Sequence, residues 1–335
     1  MVLAGAVIGA VVSIVSALGL RAWAHRRQML QKVGTPLAEH GRPLPPVGGA
    51  ALALGCAIGA AVCWGGLGIR QATPWIWLAM AAGLTLIVGL IDDFVRELSA
   101  WQKLVGQSLA WLCLARADIL THIVMLPAWA NWLVSLVWTL AIINAFNLLD
   151  IADGLAVGVG LIATGTFLVV SRFAGQPAVA GLLAVLGGAL LGVFIFNFPR
   201  ATLFLGDSGS MLLGVLLAAF ALIIKYAPLG REVALLTPVV VLGFPLYDLA
   251  FVTLVRIAQR RAVFKKSPDH FVFRLMHMGR SPVQAVLAML GMCALFGTTA
   301  LVVSRAPNLP GAITLSVLGG FFLWWAVRLF RIPMA

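Results

Sequence analysis

Long apolar runs separated by short polar joints dominate the chain from residue 2 to residue 330. The runs are about 16 to 25 residues long, which is the length that an α-helix needs to cross a hydrocarbon core of ~30 Å. A transmembrane β-barrel is built instead from strands in which apolar and polar residues alternate. The pattern therefore predicts an all-α, polytopic integral membrane protein.

We predict about eleven membrane-spanning helices from these runs, within one transmembrane domain that covers residues 1–335. The predicted spans are 2–22, 46–66, 74–93, 102–117, 131–147, 154–173, 178–197, 208–227, 233–257, 283–304 and 310–330. The fourth and fifth are the shortest. Because eleven is an odd number, the two termini are expected on opposite sides of the membrane.

Composition and charge agree with this class and add an orientation. The chain is 62% hydrophobic and only 10% charged, whereas a soluble domain carries about 25% charged residues. The net charge of +12 comes from Lys and Arg that fall mostly in the joint at residues 23–45 and in alternate joints after it. By the positive-inside rule these joints are cytoplasmic, with the N-terminus outside and the C-terminus inside. We expect no nucleic-acid partner.

The acids are concentrated on the same side. Most of the 11 Asp and Glu residues lie in or beside the inner joints, although acids contribute little to orientation. Ionisable groups at the edge of a membrane are costly unless they pair or bind something. We therefore predict an active site on the cytoplasmic face, formed by the loops near 23–45, 94–101, 148–153, 198–207 and 258–282.

The densest polar stretch, residues 144–156, reads N-A-F-N-L-L-D-I-A-D-G-L-A. Asn147, Asp150 and Asp153 are spaced three apart, so all three lie near one face if the helix continues through them. Mg²⁺ prefers oxygen ligands and usually takes one or two carboxylates together with substrate phosphates. The stretch predicts a site for a divalent cation and phosphate.

Two further acidic motifs point to the same chemistry. Asp92 and Asp93 are adjacent at the end of the third span, where negative charge is disfavoured, and two carboxylates ionise together only beside a cation or hydrogen-bond donors. The alternative for the two acids is a solvated helix end with Arg96 as counter-ion. Lys103 could reach back as a phosphate contact, or it is an ordinary flanking lysine. Asp207 lies in F-L-G-D-S-G-S, before a helix whose N-terminus offers N–H groups to a phosphate, or in a glycine-rich turn that caps this helix.

Basic residues supply candidate anion contacts. The longest inner joint, residues 258–282, contains Arg274 and a histidine, His270, directly after Asp269. A basic loop beside an acidic face suits a substrate with several phosphates, and contact with anionic lipid is the alternative. Arg42, in a Pro- and Gly-rich turn, is a phosphate contact or has no catalytic role.

Taken in order, these motifs resemble the polyprenyl-phosphate N-acetylhexosamine-1-phosphate transferases. These are the MraY/WecA-type membrane enzymes of glycosyltransferase family 4, and the eleven-span layout is similar to the WecA-like branch. The matching elements between about residues 40 and 285 are P-x-V-G-G at 45–49, D-D at 92–93, Lys103, the 144–156 stretch, F-N-F-P at 196–199, F-L-G-D-S-G-S at 204–210 and the basic, histidine-containing loop.

The resemblance implies a reaction and a set of roles. Such enzymes move a sugar-1-phosphate, here most simply N-acetylglucosamine-1-phosphate, from a UDP-sugar to undecaprenyl or another polyprenyl phosphate and release UMP. They work with Mg²⁺, for which Mn²⁺ can substitute. The implied metal ligands are Asp207 and Asp150; the implied catalytic groups are Asp92, Asp93, Asp150 and His270; the implied substrate contacts are Lys103, Asn144, Asn147, Asp153, Asn197, Phe204, Arg42 and Arg274.

Within that set the resemblance is more specific. Asp92 and Asp93 are implied at the acceptor phosphate and the metal, and which of them acts as a base, if either does, is open. Asp153 and Phe204 are implied at the uracil and Asn197 in the nucleotide pocket. His270 is implied at the diphosphate or the sugar. The resemblance also implies a multi-pass protein of the bacterial cytoplasmic membrane, and an apolar face would support a homodimer.

Two departures bear on the substrate. Ile151 replaces a glycine that many relatives have after Asp150, and the long loop lacks the consecutive histidines of the muramyl-pentapeptide branch. Ile151 reduces backbone flexibility after Asp150. The missing histidines favour a simple UDP-N-acetylhexosamine over UDP-MurNAc-pentapeptide, which is the main alternative.

Two other protein classes fit the sequence less well. A transporter would place its ionisable residues near the midplane between repeated halves, and here the acids line one face. A CDP-alcohol phosphotransferase would have an Arg where this chain has Val157.

Overall fold

The computed structural model describes residues 2–31, 43–69, 71–226, 231–260 and 269–330. These residues form thirteen α-helices. The helices are α1 (Val2–Arg26), α2 (Gly48–Cys63), α3 (Thr73–Phe94), α4 (Ala100–Arg116), α5 (Ala128–Leu149), α6 (Leu155–Phe173), α7 (Pro177–Asn197), α8 (Gly206–Ile223), α9 (Thr237–Val241), α10 (Gly243–Ala258), α11 (Phe271–His277), α12 (Pro282–Val303) and α13 (Asn308–Phe330).

The predicted fold class, an all-α polytopic membrane protein, is confirmed. Nine single helices of the described chain are long and apolar enough to cross a membrane. The segments Glu232–Val241 and Gly243–Ala258 pass the same test only as a pair, bent by 66°. The predicted fourth span corresponds to α4, which has 17 residues. The count of eleven and the orientation stay predictions.

The bend divides the span predicted as continuous over 233–257. Pro245 lies in the first turn of α10 and has no N–H to donate to Val241, so a straight helix is interrupted here. Gly243 allows the start of α10 to approach α12, because a Cβ at this position would lie 2.6 Å from the ring of Phe296.

The chain divides into two compact units, Met1–Lys225 and Tyr226–Ala335. In the first unit α1 packs on α2 and α7, while α8 packs against α2, α3, α5 and α6. Small residues permit these close approaches: a Cβ at Gly188 of α7 would lie 1.9 Å from the carbonyl oxygen of Ala6 in α1. Because α8 is apolar on nearly every side, it forms the buried centre of this unit.

In the second unit α12 contacts α9, α10, α11 and α13. An aromatic group on α10, α11 and α13 fills the interior, with the rings of Phe251 and Phe271 4.4 Å apart and those of Tyr247 and Phe271 4.8 Å apart. The Tyr247 hydroxyl donates to the carbonyl oxygen of Phe322 at 2.8 Å. The prediction of a single domain over 1–335 stays a prediction.

Candidate active site

The N-terminus of α8 is capped by a carboxylate from another helix. Asp93, at the end of α3, accepts hydrogen bonds from the backbone N–H groups of Asp207 at 2.9 Å and Ser208 at 3.0 Å, one to each of its oxygens. These groups have no partner inside their own helix, and the positive end of the helix dipole favours an anion there. Asp93 therefore holds the start of α8, and with it Asp207, against α3.

Two glycines make this contact feasible. A Cβ at Gly89 would lie 2.2 Å from the Cα of Ser208, so α3 and α8 meet backbone to backbone. Gly206 has a φ of +75°, a conformation that favours glycine, and a Cβ there would lie 2.6 Å from the Asp93 carboxylate.

Asp92, the neighbour of Asp93, has different partners. One of its oxygens accepts from the backbone N–H of Leu98 at 2.6 Å, and the other from the Lys103 ammonium at 2.8 Å. Lys103 also donates to the Asp207 carboxylate. The side chains of Asp92, Lys103 and Asp207 are 11%, 19% and 25% exposed. Lys103 thus links the two carboxylates at a partly open position.

The start of α4 explains why Lys103 is placed there. Ser99 and Gln102 form a capping box, in which each side chain satisfies a backbone N–H of the other. This motif fixes the first turn of a helix, and Lys103 follows it directly.

The helix does not continue through Asn147, Asp150 and Asp153, so the condition for their sharing one helical face is not met. The helix α5 ends at Leu149, and a turn leads to Gly154, whose φ of +77° precedes α6. Asn147, still on α5, donates to the Ser210 hydroxyl at 3.1 Å.

Asp150 lies just beyond α5 and near the other carboxylates. Burial raises the pKa of Asp150 well above its usual range, and the charges of Asp207 and Asp93 raise it further, while a hydrogen bond from the Gly206 backbone opposes the rise. A carboxyl in such a place is stabilised in its charged form by a cation.

Asp153 and Asn197 connect the turn after α5 to the loop after α7. Asp153 accepts from the backbone N–H of Ala201 at 2.9 Å. Asn197 accepts from the N–H of Gly154 and donates to the carbonyl oxygen of Leu203, both at 3.0 Å, and is 3% exposed. Their predicted contacts with the nucleotide stay predictions, and their observed contacts fix the two loops.

The P-x-V-G-G segment is joined to the loop before α8. The N–H groups of Gly48 and Gly49 donate to the carbonyl oxygens of Phe204 and Leu205 at 2.9 Å, and the N–H of Phe204 donates to Pro45 at 3.0 Å. The motif therefore holds the backbone of Phe204, which was predicted at the uracil.

Two residues that the sequence analysis missed support predicted site residues. Gln31 donates to the carbonyl oxygen of Asp93 at 2.7 Å, which satisfies an orphan carbonyl at the end of α3. Buried Gln107 accepts from Asn144 at 2.8 Å. Gln107 follows Lys103 by four residues, so the two lie on the same face of α4. This spacing in the sequence indicates that Gln107 lies near the site. Nothing in the sequence marks Gln31.

His270 and Arg274 belong to the second unit, where they lie in a buried charged cluster. Nδ1 of His270 is 2.9 Å from Oδ2 of Asp248. Arg274 donates to the carbonyl oxygens of Leu329 at 2.6 Å and Asp269 at 3.3 Å. The predicted contacts of His270 and Arg274 with substrate stay predictions. Arg42 lies outside the described residues.

The first unit's cluster suits a divalent cation of the magnesium type. Asp92, Asp93, Asp150 and Asp207 bring four carboxyl groups together with the Lys103 ammonium. Among the described residues, no three His, Cys, Asp or Glu side chains are arranged to hold a metal alone. Mg²⁺ usually takes only one or two carboxylates and completes its shell with water and phosphate oxygens, so the donor chemistry fits.

Comparison with known proteins identifies the family. Residues 75–225 match the model of glycosyl transferase family 4. A decaprenyl-phosphate N-acetylglucosaminephosphotransferase of Mycobacterium tuberculosis is 33% identical over 285 residues, covering 74% of this chain and 69% of that protein. The chain belongs to glycosyl transferase family 4.

Two other relatives show which activities are named among proteins similar to this chain. A probable undecaprenyl-phosphate N-acetylglucosaminyl 1-phosphate transferase of Bacillus subtilis is 26% identical over 275 residues, covering 80% of this chain and 75% of that protein. A phospho-N-acetylmuramoyl-pentapeptide-transferase of Lacticaseibacillus paracasei is 31% identical over 225 residues, covering 62% of this chain and 70% of that protein. The resemblance predicted from the motifs is confirmed, and the segment matched by the family model contains all four clustered acids.

Proposed function

We propose that this protein transfers N-acetylglucosamine-1-phosphate from UDP-N-acetylglucosamine to a polyprenyl phosphate, with release of UMP. The observation that carries the proposal is the group of four carboxyls at the start of α8, two of them in contact with Lys103, in a chain of glycosyl transferase family 4. Relatives named as N-acetylglucosamine phosphotransferases favour this donor. UDP-MurNAc-pentapeptide is the second candidate, on the strength of the 31% identical relative.

The proposed reaction brings anions together. An oxygen of the lipid phosphate bonds to the β-phosphorus of the UDP-sugar, the bond from that phosphorus to the α–β bridging oxygen breaks, and its electron pair leaves with UMP. The nucleophile is ionised near pH 7, so the main task of the site is to neutralise and orient charge.

Asp207 and Asp150 are the proposed magnesium ligands. When bound, Mg²⁺ supplies positive charge to the diphosphate and to the leaving UMP. Asp207 lies at the first turn of α8 with a 25% exposed side chain, so it can reach an ion and a substrate in front of that helix end. The N-terminus of α8 adds its dipole to the attraction of phosphate.

Asp93 and Asp92 divide the remaining work. Both oxygens of Asp93 already accept hydrogen bonds from α8, so we assign it a positioning role. Asp92 contacts Lys103 and is partly exposed, which leaves it as the member of the pair able to face the acceptor phosphate. Lys103 and Asn147 are the proposed polar contacts of the phosphates beside it.

The setting of the reaction is part of the proposal. The basic inner joints support a bacterial cytoplasmic membrane protein with its active site on the cytoplasmic face. Undecaprenyl phosphate is the proposed acceptor in that membrane. A homodimer through an apolar face is proposed on composition alone.

A transfer assay tests the proposed function. Purified protein in detergent is given Mg²⁺, undecaprenyl phosphate and UDP-N-acetylglucosamine labelled in the sugar, and label extracted into organic solvent is counted. We expect transfer that stops without Mg²⁺ and in Asp207→Asn. Release of UMP only with UDP-MurNAc-pentapeptide would establish the second candidate, and folded protein inactive with both donors would refute the phosphotransferase.

A further inference from the structure

Lys103 bridges two acids that come from different helices. Its ammonium nitrogen is 2.8 Å from Oδ2 of Asp92, at the end of α3, and is also hydrogen-bonded to Oδ2 of Asp207, at the start of α8. The three side chains are partly exposed, so solvent and ions reach the bridge. Among the described residues, the Lys103 ammonium is the cation that contacts both carboxylates.

A cation bound at Asp207 competes with this arrangement. A divalent ion lies about 2.0–2.1 Å from its oxygen ligands, and the Lys103 ammonium already contacts an oxygen of the same carboxylate. Two positive charges at one carboxylate repel each other strongly in a partly buried site. The ammonium and the ion therefore exclude each other at this oxygen.

We propose that Lys103 is a built-in placeholder for the divalent cation. In the metal-free protein its ammonium holds Asp92 and Asp207 together; when the ion binds, the ammonium is displaced and becomes free to contact a phosphate oxygen of a substrate. This inference rests on the proposed function, in which Asp207 binds the ion. A lysine suits the role because its ammonium is a compact charge on a flexible stem.

The first test measures Mn²⁺ binding to the metal-free, substrate-free protein in detergent by electron paramagnetic resonance. We expect Lys103→Met to bind Mn²⁺ at least about tenfold more tightly than the natural protein, because a competing charge a few ångströms away is removed. Lys103→Arg keeps a competing cation and should differ from the natural protein by less than about threefold.

Arg96→Gln is the matched control for charge alone. Arg96 is exposed and lies three residues after Asp93, so its loss changes the local charge by the same amount without opening the bridge. We expect a change in Mn²⁺ affinity of less than about threefold, because exposed charges are screened. A change in Mn²⁺ affinity equal to that of Lys103→Met would overturn the proposal that Lys103 holds the place of the cation.

Asp207→Asn tests the proposed metal site separately from the proposed role of Lys103. If Asp207→Asn binds Mn²⁺ like the natural protein, the metal site of the proposed function is wrong. If Asp207→Asn loses binding while Lys103→Met binds no more tightly than the natural protein, the metal site stands and the placeholder is wrong.

A second test needs no variant. The natural protein is treated with an amine-acylating reagent, with and without Mg²⁺, and labelling of each lysine is followed by mass spectrometry. Mg²⁺ should accelerate labelling of Lys103 several-fold, because the displaced ammonium leaves its contacts with Asp92 and Asp207 and becomes accessible to the reagent. Exposed Lys225 is the internal control and should not change. Equal or slower labelling of Lys103 with Mg²⁺ would contradict the proposal.

Discussion

The two units of the molecule contain charged clusters of opposite design. In the first unit four carboxyls, those of Asp92, Asp93, Asp150 and Asp207, lie close together. Two of them, Asp92 and Asp207, contact the Lys103 ammonium and are partly exposed. The cluster has an excess of negative charge at the N-terminus of α8. Such an arrangement is costly without a bound cation, which is why we interpret it as a binding site.

The cluster of the second unit is buried, and its negative and positive charges are nearly equal in number. Two acids, Asp248 and Asp269, lie with two guanidinium groups and the His270 imidazole, and all of them are at most 2% exposed. Arg256 is close enough to both acids to interact with their charges. A buried, paired cluster fixes the packing of its helices, and removal of one partner leaves an uncompensated charge. The two clusters thus differ in net charge and in exposure, the two properties that decide whether a cluster is open to bind an ion.

The largest expected effect is on activity in the first cluster. Asp207→Asn should lower kcat by about 10³-fold or more, because the charge that faces the ion and the transferred phosphoryl group is lost. Transfer of label to lipid gives kcat, and thermal unfolding shows whether the variant is folded. Activity within about tenfold of the natural protein would contradict the role of Asp207.

In the second cluster we expect an effect on stability. Asp248→Asn should lower the free energy of unfolding by about 3 kcal/mol, because buried His270 and its neighbours lose their anionic partner. A double-mutant cycle with His270→Gln measures the coupling of the pair by thermal unfolding. Coupling below about 0.5 kcal/mol would show that the pair does not stabilise the fold.

Asp150→Asn should lower the activity of the protein and raise its stability. Activity should fall by about 10²-fold with the loss of a proposed magnesium ligand. Metal-free protein should become more stable by about 1 kcal/mol, because a buried carboxyl beside two others is replaced by a neutral amide. If thermal unfolding shows that Asp150→Asn loses as much stability as Asp248→Asn, the first cluster does not have an excess of negative charge.

The last prediction concerns a contact between two helix backbones and affects stability alone. Gly49→Ala should cost about 1–3 kcal/mol, because a Cβ there would lie 2.3 Å from the backbone nitrogen of Gly209. Gly83→Ala is the matched control, since a Cβ at Gly83 of α3 has no atom within 4 Å. Thermal unfolding of the pair compares them, and equal stabilities would show that α2 and α8 tolerate separation.

Much of this molecule was predictable from sequence. Membrane helices are long apolar runs, and most of the acids that meet at the start of α8 are rare polar residues at the ends of such runs. The separate duties of Asp92 and Asp93 were not predictable, because they depend on α8, which follows more than 100 residues later. Adjacent side chains at a helix end look alike until their tertiary partners are known.

Two errors of continuity have local causes that the sequence contained. The end of α5 at Leu149 is followed by Gly154 with a positive φ, and the bend before α10 lies between Pro238 and Pro245. Both segments are apolar enough to hide these signals in a hydropathy pattern. The partnership of Asp248 with His270 was missed because the two residues come from different helical segments.

The most direct test of the contrast between the two clusters is an anomalous-scattering map from crystals grown with Mn²⁺ and UDP-N-acetylglucosamine. We expect a peak beside the carboxylates of Asp207 and Asp150, in contact with the donor diphosphate, and none in the cluster of Asp248 and Asp269. A peak in the second cluster, or an ordered donor with no metal at Asp207, would contradict it.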